Sequence, residues 1–154
     1  MQAKIAKDVM TSQPATCTRN ANLYDVAKLM TETDCGAIPV MESESSRIPI
    51  GIITDRDIVC RGVAKTLNAY VSRVVDCMTC GAITVAADTD LNECRKIMVR
   101  NGIRRLIVTD DAGECIGILS QSDFATKGSE EDALALLKQV SAHPGTPSRF
   151  SQAA

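Results

Sequence analysis

A chain of 154 residues with 45% hydrophobic and 23% charged side chains is expected to fold as one compact body that buries about two-thirds of its surface without disulfide or metal staples. Two Phe, two Tyr and no Trp leave the core to aliphatic side chains and Met, and supply no aromatic platform for single-stranded nucleic acid. A net charge of −2 gives no basic footprint for a phosphate polymer or an anionic membrane, so neither is expected as a partner.

The opening Met1-Gln-Ala-Lys-Ile-Ala-Lys-Asp8 lacks the apolar stretch of a secretory signal, and no later segment reaches the roughly 18 apolar residues of a membrane span. A cytoplasmic location is the expectation. The seven cysteines, at 17, 35, 60, 77, 80, 94 and 115, are odd in number and set among aliphatic neighbours, as small hydrophobes in a reduced compartment would be.

In chain order, a short strand is predicted around Thr16-Cys17. Leu23, Val26, Ala27 and Met30 then recur at i, i+3, i+4 and i+7, one buried face of a helix. Two β-rich runs, Ala37-Ile-Pro-Val-Met41 and Ile50-Gly-Ile-Ile53, flank the polar Glu42-Ser-Glu-Ser-Ser-Arg47 and read as a hairpin. A second helix is predicted from about Asp55 to Ala64, then a connecting segment, Lys65 to Val75, that is partly helical. The same order follows again. A strand lies at Ile83–Val85, and Asp90 is placed to cap a helix together with Glu93, with Leu91, Cys94, Ile97 and Met98 on its inner face. The hairpin Leu106–Thr109 with Cys115–Leu119 comes next, then a helix from Gln121 to Lys127. Aligning Met10-Thr11 with Met78-Thr79 superposes Thr16 on Thr84, Leu23 on Leu91, Met30 on Met98 and Val40 on Val108. After the hairpin loop, Gly51 falls on Gly117, Thr54 on Ser120 and Asp57 on Asp123. The chain is an internal duplication of a β-α-β-β-α unit. Repeat 1 spans 1–64, the connector 65–75 and repeat 2 76–128. Residues 129–154 hold a terminal helix, with Ala133, Leu134, Leu137 and Val140 as its apolar face, and then a disordered tail from His143. Neither half is expected to close a core alone. The fold class is α+β with α/β-like repeats, the two units packed sheet to sheet about a pseudo-twofold axis.

Thr54-x-x-Asp57 and Ser120-x-x-Asp123 stand where a strand hands over to a helix. Ser or Thr followed three residues later by an acid is a helix capping box that needs no ligand. The same carboxylate can instead accept both hydroxyls of a ribose, while the hydroxyl and the free N–H groups of the helix start receive a phosphate. Arg56, Arg104 and Arg105 are candidate phosphate clamps, because a guanidinium offers a planar pair of donors. Arg104-Arg105 falls on Gly36-Ala37, so the repeats are chemically unequal, and adjacent strand residues point to opposite faces, so at most one of the two enters a given cleft. Cys77-Met-Thr-Cys80 is a lone CxxC with no second pair and one distant His, too few ligands for zinc. No GxGxxG string, P-loop or nucleophile elbow is present, which leaves no catalytic residue to name.

The Asp8-Val-Met-Thr11 and Asp76-Cys-Met-Thr79 openings, Gly36-Ala-Ile-Pro-Val40 and Gly51-Ile-Ile-Thr-Asp-Arg-Asp57 resemble a tandem CBS-domain pair, or Bateman module, of the small stand-alone bacterial type. Repeat 2 reads Gly117-Ile-Leu-Ser-Gln-Ser-Asp123 at the corresponding place. The resemblance covers residues 5 to 128. It implies a cleft between the sheets for an adenosine-containing ligand such as AMP, ATP, NAD(H) or S-adenosylmethionine. Asp57 and Asp123 would take the ribose, with Thr54 and Ser120 beside them. Thr16, Ile38 and Pro39, with Thr84 and Leu106, would hold the adenine through backbone groups and aliphatic walls, although core packing explains Ile38 and Leu106 equally well. It also implies a homodimer, for which Ile58, Val59 and Val63, and Phe124 and Ala125, are surplus apolar surface. The function expected is regulatory: nucleotide sensing without catalysis, catalytic cofactor or metal, signalled to a protein partner. The alternatives are a ligand-free interaction or stress-response protein and a thiol redox sensor using Cys77 and Cys80.

Overall fold

β-branched and aliphatic runs broken by polar turns become strands, and stretches with helical spacing become helices. The computed structural model describes residues 4–128 and 130–142; the predicted tail from His143 lies outside the described residues. In chain order the elements are α1 (Ala6–Val9), β1 (Thr11–Ser12), β2 (Cys17–Thr18), α2 (Leu23–Glu32), β3 (Ala37–Met41), β4 (Pro49–Thr54), α3 (Asp55–Asp57), β5 (Thr79–Cys80), β6 (Thr84–Ala86), α4 (Leu91–Asn101), β7 (Arg105–Thr109), β8 (Cys115–Ser120), α5 (Gln121–Lys127) and α6 (Glu130–Ala142). The helix predicted to Ala64 begins as α3 and continues through a π-helical turn, Ile58–Gly62, and a 3₁₀ turn, Val63–Lys65. The connector ends in a further 3₁₀ turn, Val74–Asp76.

These elements form two compact units, not one. In the unit Pro14–Ala82 the sheet order is β2-β3-β4-β5. β2 runs parallel to β3, with Cys17 beside Val40, and β4 is antiparallel to both β3 and β5. Helix α2 starts where the Asn22 side chain accepts the Asp25 N–H at 2.8 Å, a capping bond that replaces one missing at the helix end. Its buried Leu23, Val26 and Met30 pack with Ile38, Val40, Ile53, Val74, Cys77 and Met78.

The other unit comprises residues 4–13 with 83–128 and 130–142. Its sheet order is β1-β8-β7-β6, with β6 parallel to β7 and β8 antiparallel to β7 and β1. Asp90 caps α4 by accepting the Asn92 N–H at 2.8 Å. The expected Asp90–Glu93 box is replaced by a pairing of Glu93 with Lys96 at 3.6 Å. Leu91, Cys94 and Met98 pack with Val9, Leu106, Val108, Leu119, Phe124 and Leu136. Each core takes residues from the other repeat, Ala6, Val9 and Met10 in this unit and Cys77 and Met78 in the first, so neither repeat closes a core from its own residues alone.

The segment that opens each repeat completes the other repeat's unit. Ala6 and Lys7 N–H donate to Thr89 and Ala87 carbonyls at 2.8 and 2.9 Å, and β1 adds an edge to β8. Val74–Cys80 is the counterpart in the first repeat's unit, where β5 adds the edge to β4. Glycine is needed where these edges arrive. A Cβ at Gly51 would collide with the Thr79 carbonyl, and one at Gly117 with the Met10 sulfur.

Two apolar assignments differ from the sequence reading. Phe124 is fully buried because α6 packs against α4 and α5, so it is not surplus surface. Among the described side chains of α6 the buried one is Leu136, whereas Leu134 and Leu137 are 53% and 54% exposed; the α4–α5 surface accepts the opposite side of the helix, and the side chain of Val140 lies outside those described. Leu136→Ala is therefore expected to cost about 2–4 kcal/mol, and Val71→Ala, at a position 73% exposed, no more than about 0.5 kcal/mol. Urea unfolding of both variants measures the difference.

Candidate functional site

The two strand-to-helix junctions are built alike. In the first repeat, Ala37 of β3 lies opposite Thr54 of β4, and the Asp55 N–H closes the corner on the Gly36 carbonyl at 3.1 Å. In the second, Arg105 lies opposite Ser120, and the Gln121 N–H reaches the Arg104 carbonyl at 2.9 Å. Short aliphatic strands ending in a hydroxyl residue turn directly into helices here because the hydroxyl residue and the acid three positions on satisfy each other.

At the first junction the Thr54 N–H donates to Asp57 Oδ2 at 2.9 Å and the Asp57 N–H donates to Thr54 Oγ1 at 3.1 Å. At the second, Asp123 Oδ2 accepts both the Ser120 N–H and the Ser120 hydroxyl, each at 2.7 Å. The capping role is therefore real at both. It does not exhaust the carboxylates, since an ionised carboxylate has about four acceptor positions. Asp57 keeps more of that capacity than Asp123, whose Oδ2 already takes two donors. The free N–H groups expected for a phosphate are absent from the first helix start. Asp55 and Asp57 N–H are bonded as above, and the Arg56 N–H turns to Asp55 Oδ1 at 2.8 Å. A phosphate there would have to be met by side chains.

A residue missed in the sequence stands behind each aspartate. Arg61 Nε lies 3.8 Å from Asp57 Oδ1, and its Nη1 donates to the carbonyls of Cys77 and Met78 at 3.1 and 2.9 Å. Lys127, its counterpart in repeat 2, lies 3.4 Å from Asp123 Oδ1 and donates to the Val9 carbonyl at 3.1 Å. The i,i+4 acid–base spacing in both copies was the available signal. The aspartates of the two openings act locally, since Asp8 and Asp76 accept the N–H groups of Ile5 and Arg73 at 3.0 and 2.8 Å.

The remaining predicted residues divide by burial. Ile38 and Leu106 are wholly inside their units' cores, which leaves only their main chain for a ligand. Pro39 is buried on the opposite face of β3, by strand alternation. Thr16, next to β2, and Thr84, at the start of β6, are exposed, as are Arg56 and Arg104; Arg105 is half-buried. Within each unit, then, the hydroxyl residue and the aspartate are joined directly, and the arginines stand on the chain beside them.

Sequence comparison agrees with this architecture. The CBS domain family matches residues 6–61 and 71–130. The chain belongs to the CBS domain family. The two matches make it a tandem CBS pair. It is 32% identical over 136 residues to the CBS domain-containing protein YhcV of Bacillus subtilis, covering 88% of this chain and 94% of that one. Across the curated relatives, the chain spans from 52% to 94% of the relative's length. Among solved structures, the CBS domain protein PAE2072 from Pyrobaculum aerophilum, complexed with AMP, matches with a TM-score of 0.74 at 21% identity, over 88% of this chain and 99% of that one. The CBS domain pair of protein MJ0100, in complex with 5′-methylthioadenosine and S-adenosylmethionine, matches with a TM-score of 0.72 at 22% identity, over 82% and 96%. No catalytic family is indicated. No helix among the described residues is long and apolar enough to cross a membrane.

The CxxC of the CBS pair is split by burial. Cys77 is fully buried and Cys80 is exposed on β5. Burial, reinforced by Asp76 and Asp57, raises the Cys77 pKa. Burial, with Glu44, pushes Cys17 up to about 12, and burial, with Asp90, pushes Cys94 up to about 11. A thiolate is the reactive form, so these three thiols are held inert. Below pH 9 the thiols are protonated in both states, and above it the unfolded chain ionises while the native one does not, so stability falls as pH rises from about 9 towards 11–12. In native alkylation, the exposed Cys80 is expected to react first, with Cys17, Cys77 and Cys94 modified only after denaturation. Rapid native modification of Cys77 would contradict the assignment.

Proposed function

We propose that this CBS pair is a cytoplasmic, homodimeric regulatory module that binds an adenosine-containing ligand and signals its presence to a protein partner, with no reaction of its own. The observation that carries the reading is the pair of equivalent aspartates at helix starts, each fixed by its own cap and each with acceptor capacity beyond it. The AMP complex of one structural relative and the S-adenosylmethionine complex of another support the choice of ligand class. Asp57 and Asp123 are proposed to accept the ribose hydroxyls beside Thr54 and Ser120. Adenine contacts are assigned to Thr16, Ile38 and Pro39 in one repeat and to Thr84 and Leu106 in the other, through main-chain groups where the side chain is buried. Arg56, Arg104 and Arg105 are the phosphate or carboxylate contacts. Repeat 2 carries two arginines where repeat 1 carries Gly36-Ala37, which favours the more highly charged ligand, ATP over AMP, at the Asp123 site. Exposed Val59 and Val63, 56% and 66% accessible, support the homodimer.

The test is calorimetric titration of AMP and 2′-deoxy-AMP into the native protein and Asp57→Asn. An Asn carbonyl can still accept the Thr54 N–H, so the cap survives while charge is lost. Charge-assisted bonds are worth roughly 1.5–3 kcal/mol, so AMP affinity is expected to fall at least about tenfold. The native preference for AMP over its deoxy form should shrink in the variant. Equal affinities in all four titrations, with a lowered melting temperature, would leave Asp57 as a cap alone.

A further inference from the structure

The duplication supplies an internal comparison between two equivalent helical faces. In the second repeat's unit, α6 lies across α4 and α5. Leu136 is sealed in the core with Met98 and Phe124, and Arg95 of α4 donates to Gln139 of α6 at 2.9 Å. By the repeat register, Met98, Arg95, Phe124 and Ala125 correspond to Met30, Ala27, Ile58 and Val59. The first repeat's unit has a groove of about 420 Å³ at this place, between α2 and the helical stretch after Thr54, lined by Ala27, Met30, Thr31, Cys35, Ile58 and Val59. Thus one face is closed by a leucine-bearing helix and its counterpart is open.

The covering helix has a second apolar side. Leu134 and Leu137 point away from Leu136 and are more than half exposed. Lys138, the one basic residue of α6, shares that side by helical spacing, and Glu130 and Glu131 lie at the far end of the helix. The groove is bordered by Asp34 and Asp55, opposite in charge to Lys138. Ridge, groove and charge therefore match.

We propose that the open groove of the first repeat's unit receives the outer face of α6 from a second copy of this chain, with Leu134 and Leu137 entering between α2 and Val59 and Lys138 meeting Asp34 or Asp55. Each copy offers one such helix and one such groove, so two copies that exchange both leave neither uncovered. The inference rests on the homodimer of the preceding reading and names its contact.

Sedimentation velocity at micromolar concentration of the full chain, Val59→Glu and Leu137→Glu tests it, with melting curves to show that each variant folds. Both positions are exposed, so folding should survive. The native chain is expected to be a dimer, each single variant to dissociate at least tenfold more readily, and Val59→Lys combined with Leu137→Glu to recover association. As a second measurement, Leu137→Cys treated with oxidised glutathione, which takes up the two electrons and two protons, is expected to form an interchain disulfide with Cys35 that is lost in the additional Cys35→Ser variant. A native monomer would overturn the homodimer itself. A native dimer dissociated by Val59→Glu but unaffected by Leu137→Glu would mean that the groove face meets its own copy, and would overturn α6 as the occupant. A dimer indifferent to both changes, with no Cys35 crosslink, would place the interface elsewhere.

Discussion

The interaction on which each unit turns is a three-part clamp: a carboxylate at the start of a helix, a cation one turn later, and main-chain carbonyls of the segment that opens the other repeat. Asp57, Arg61 and the Cys77 and Met78 carbonyls make one; Asp123, Lys127 and the Val9 carbonyl make the other. All three partners correspond under the duplication. Charge-assisted bonds of this kind contribute about 1.5–3 kcal/mol when sheltered and much less in water. Arg61 is 15% exposed and Lys127 is 47% exposed, so the first clamp is the tighter. With the entering segment held there, its next residues pair with the central strand only because Gly51 and Gly117 have no side chain in the way.

The clamp also sets what the aspartates can do for a ligand. A buried cap alone would spend the carboxylate on its own helix. Here the cation draws Oδ1 to a defined place while Oδ2 serves the cap, so the group is rigid before anything binds, and rigid acceptors lose little entropy on binding. The same arrangement gives a route for a response. Whatever changes the charge balance at Asp57 acts on Arg61, and through Arg61 on the seat of residues 77–79.

Much of this was legible in the sequence because it is written in local spacing. The duplication, the helix faces of α2 and α4, both hairpins and the Thr54-x-x-Asp57 and Ser120-x-x-Asp123 corners all follow from residues within a few positions of one another. What escaped depends on distant partners. Leu134 and Leu137 make as good a helical stripe as any, and only the surface made by α4 and α5 selects Leu136 instead. Phe124 looked superfluous for the same reason, since its cover arrives from α6. Nothing near residues 4–12 says that they complete the unit of residues 83–142. Arg61 was visible as an i,i+4 partner of Asp57, but its carbonyl acceptors lie 16 and 17 residues away in sequence. The arginines of the second repeat were visible as charges, while the occupied N–H groups at the first helix start, which leave a phosphate to side chains, required the turn geometry.

The central claim, that the chain holds an adenosine-containing ligand, is tested most directly by native mass spectrometry of the purified protein, first as isolated and then with AMP, ATP or S-adenosylmethionine added. The account predicts a folded protein carrying the mass of one of these ligands, released on denaturation as a species with an adenine absorption spectrum. A folded protein whose mass stays that of the bare chain, with each ligand present at millimolar concentration, would contradict it.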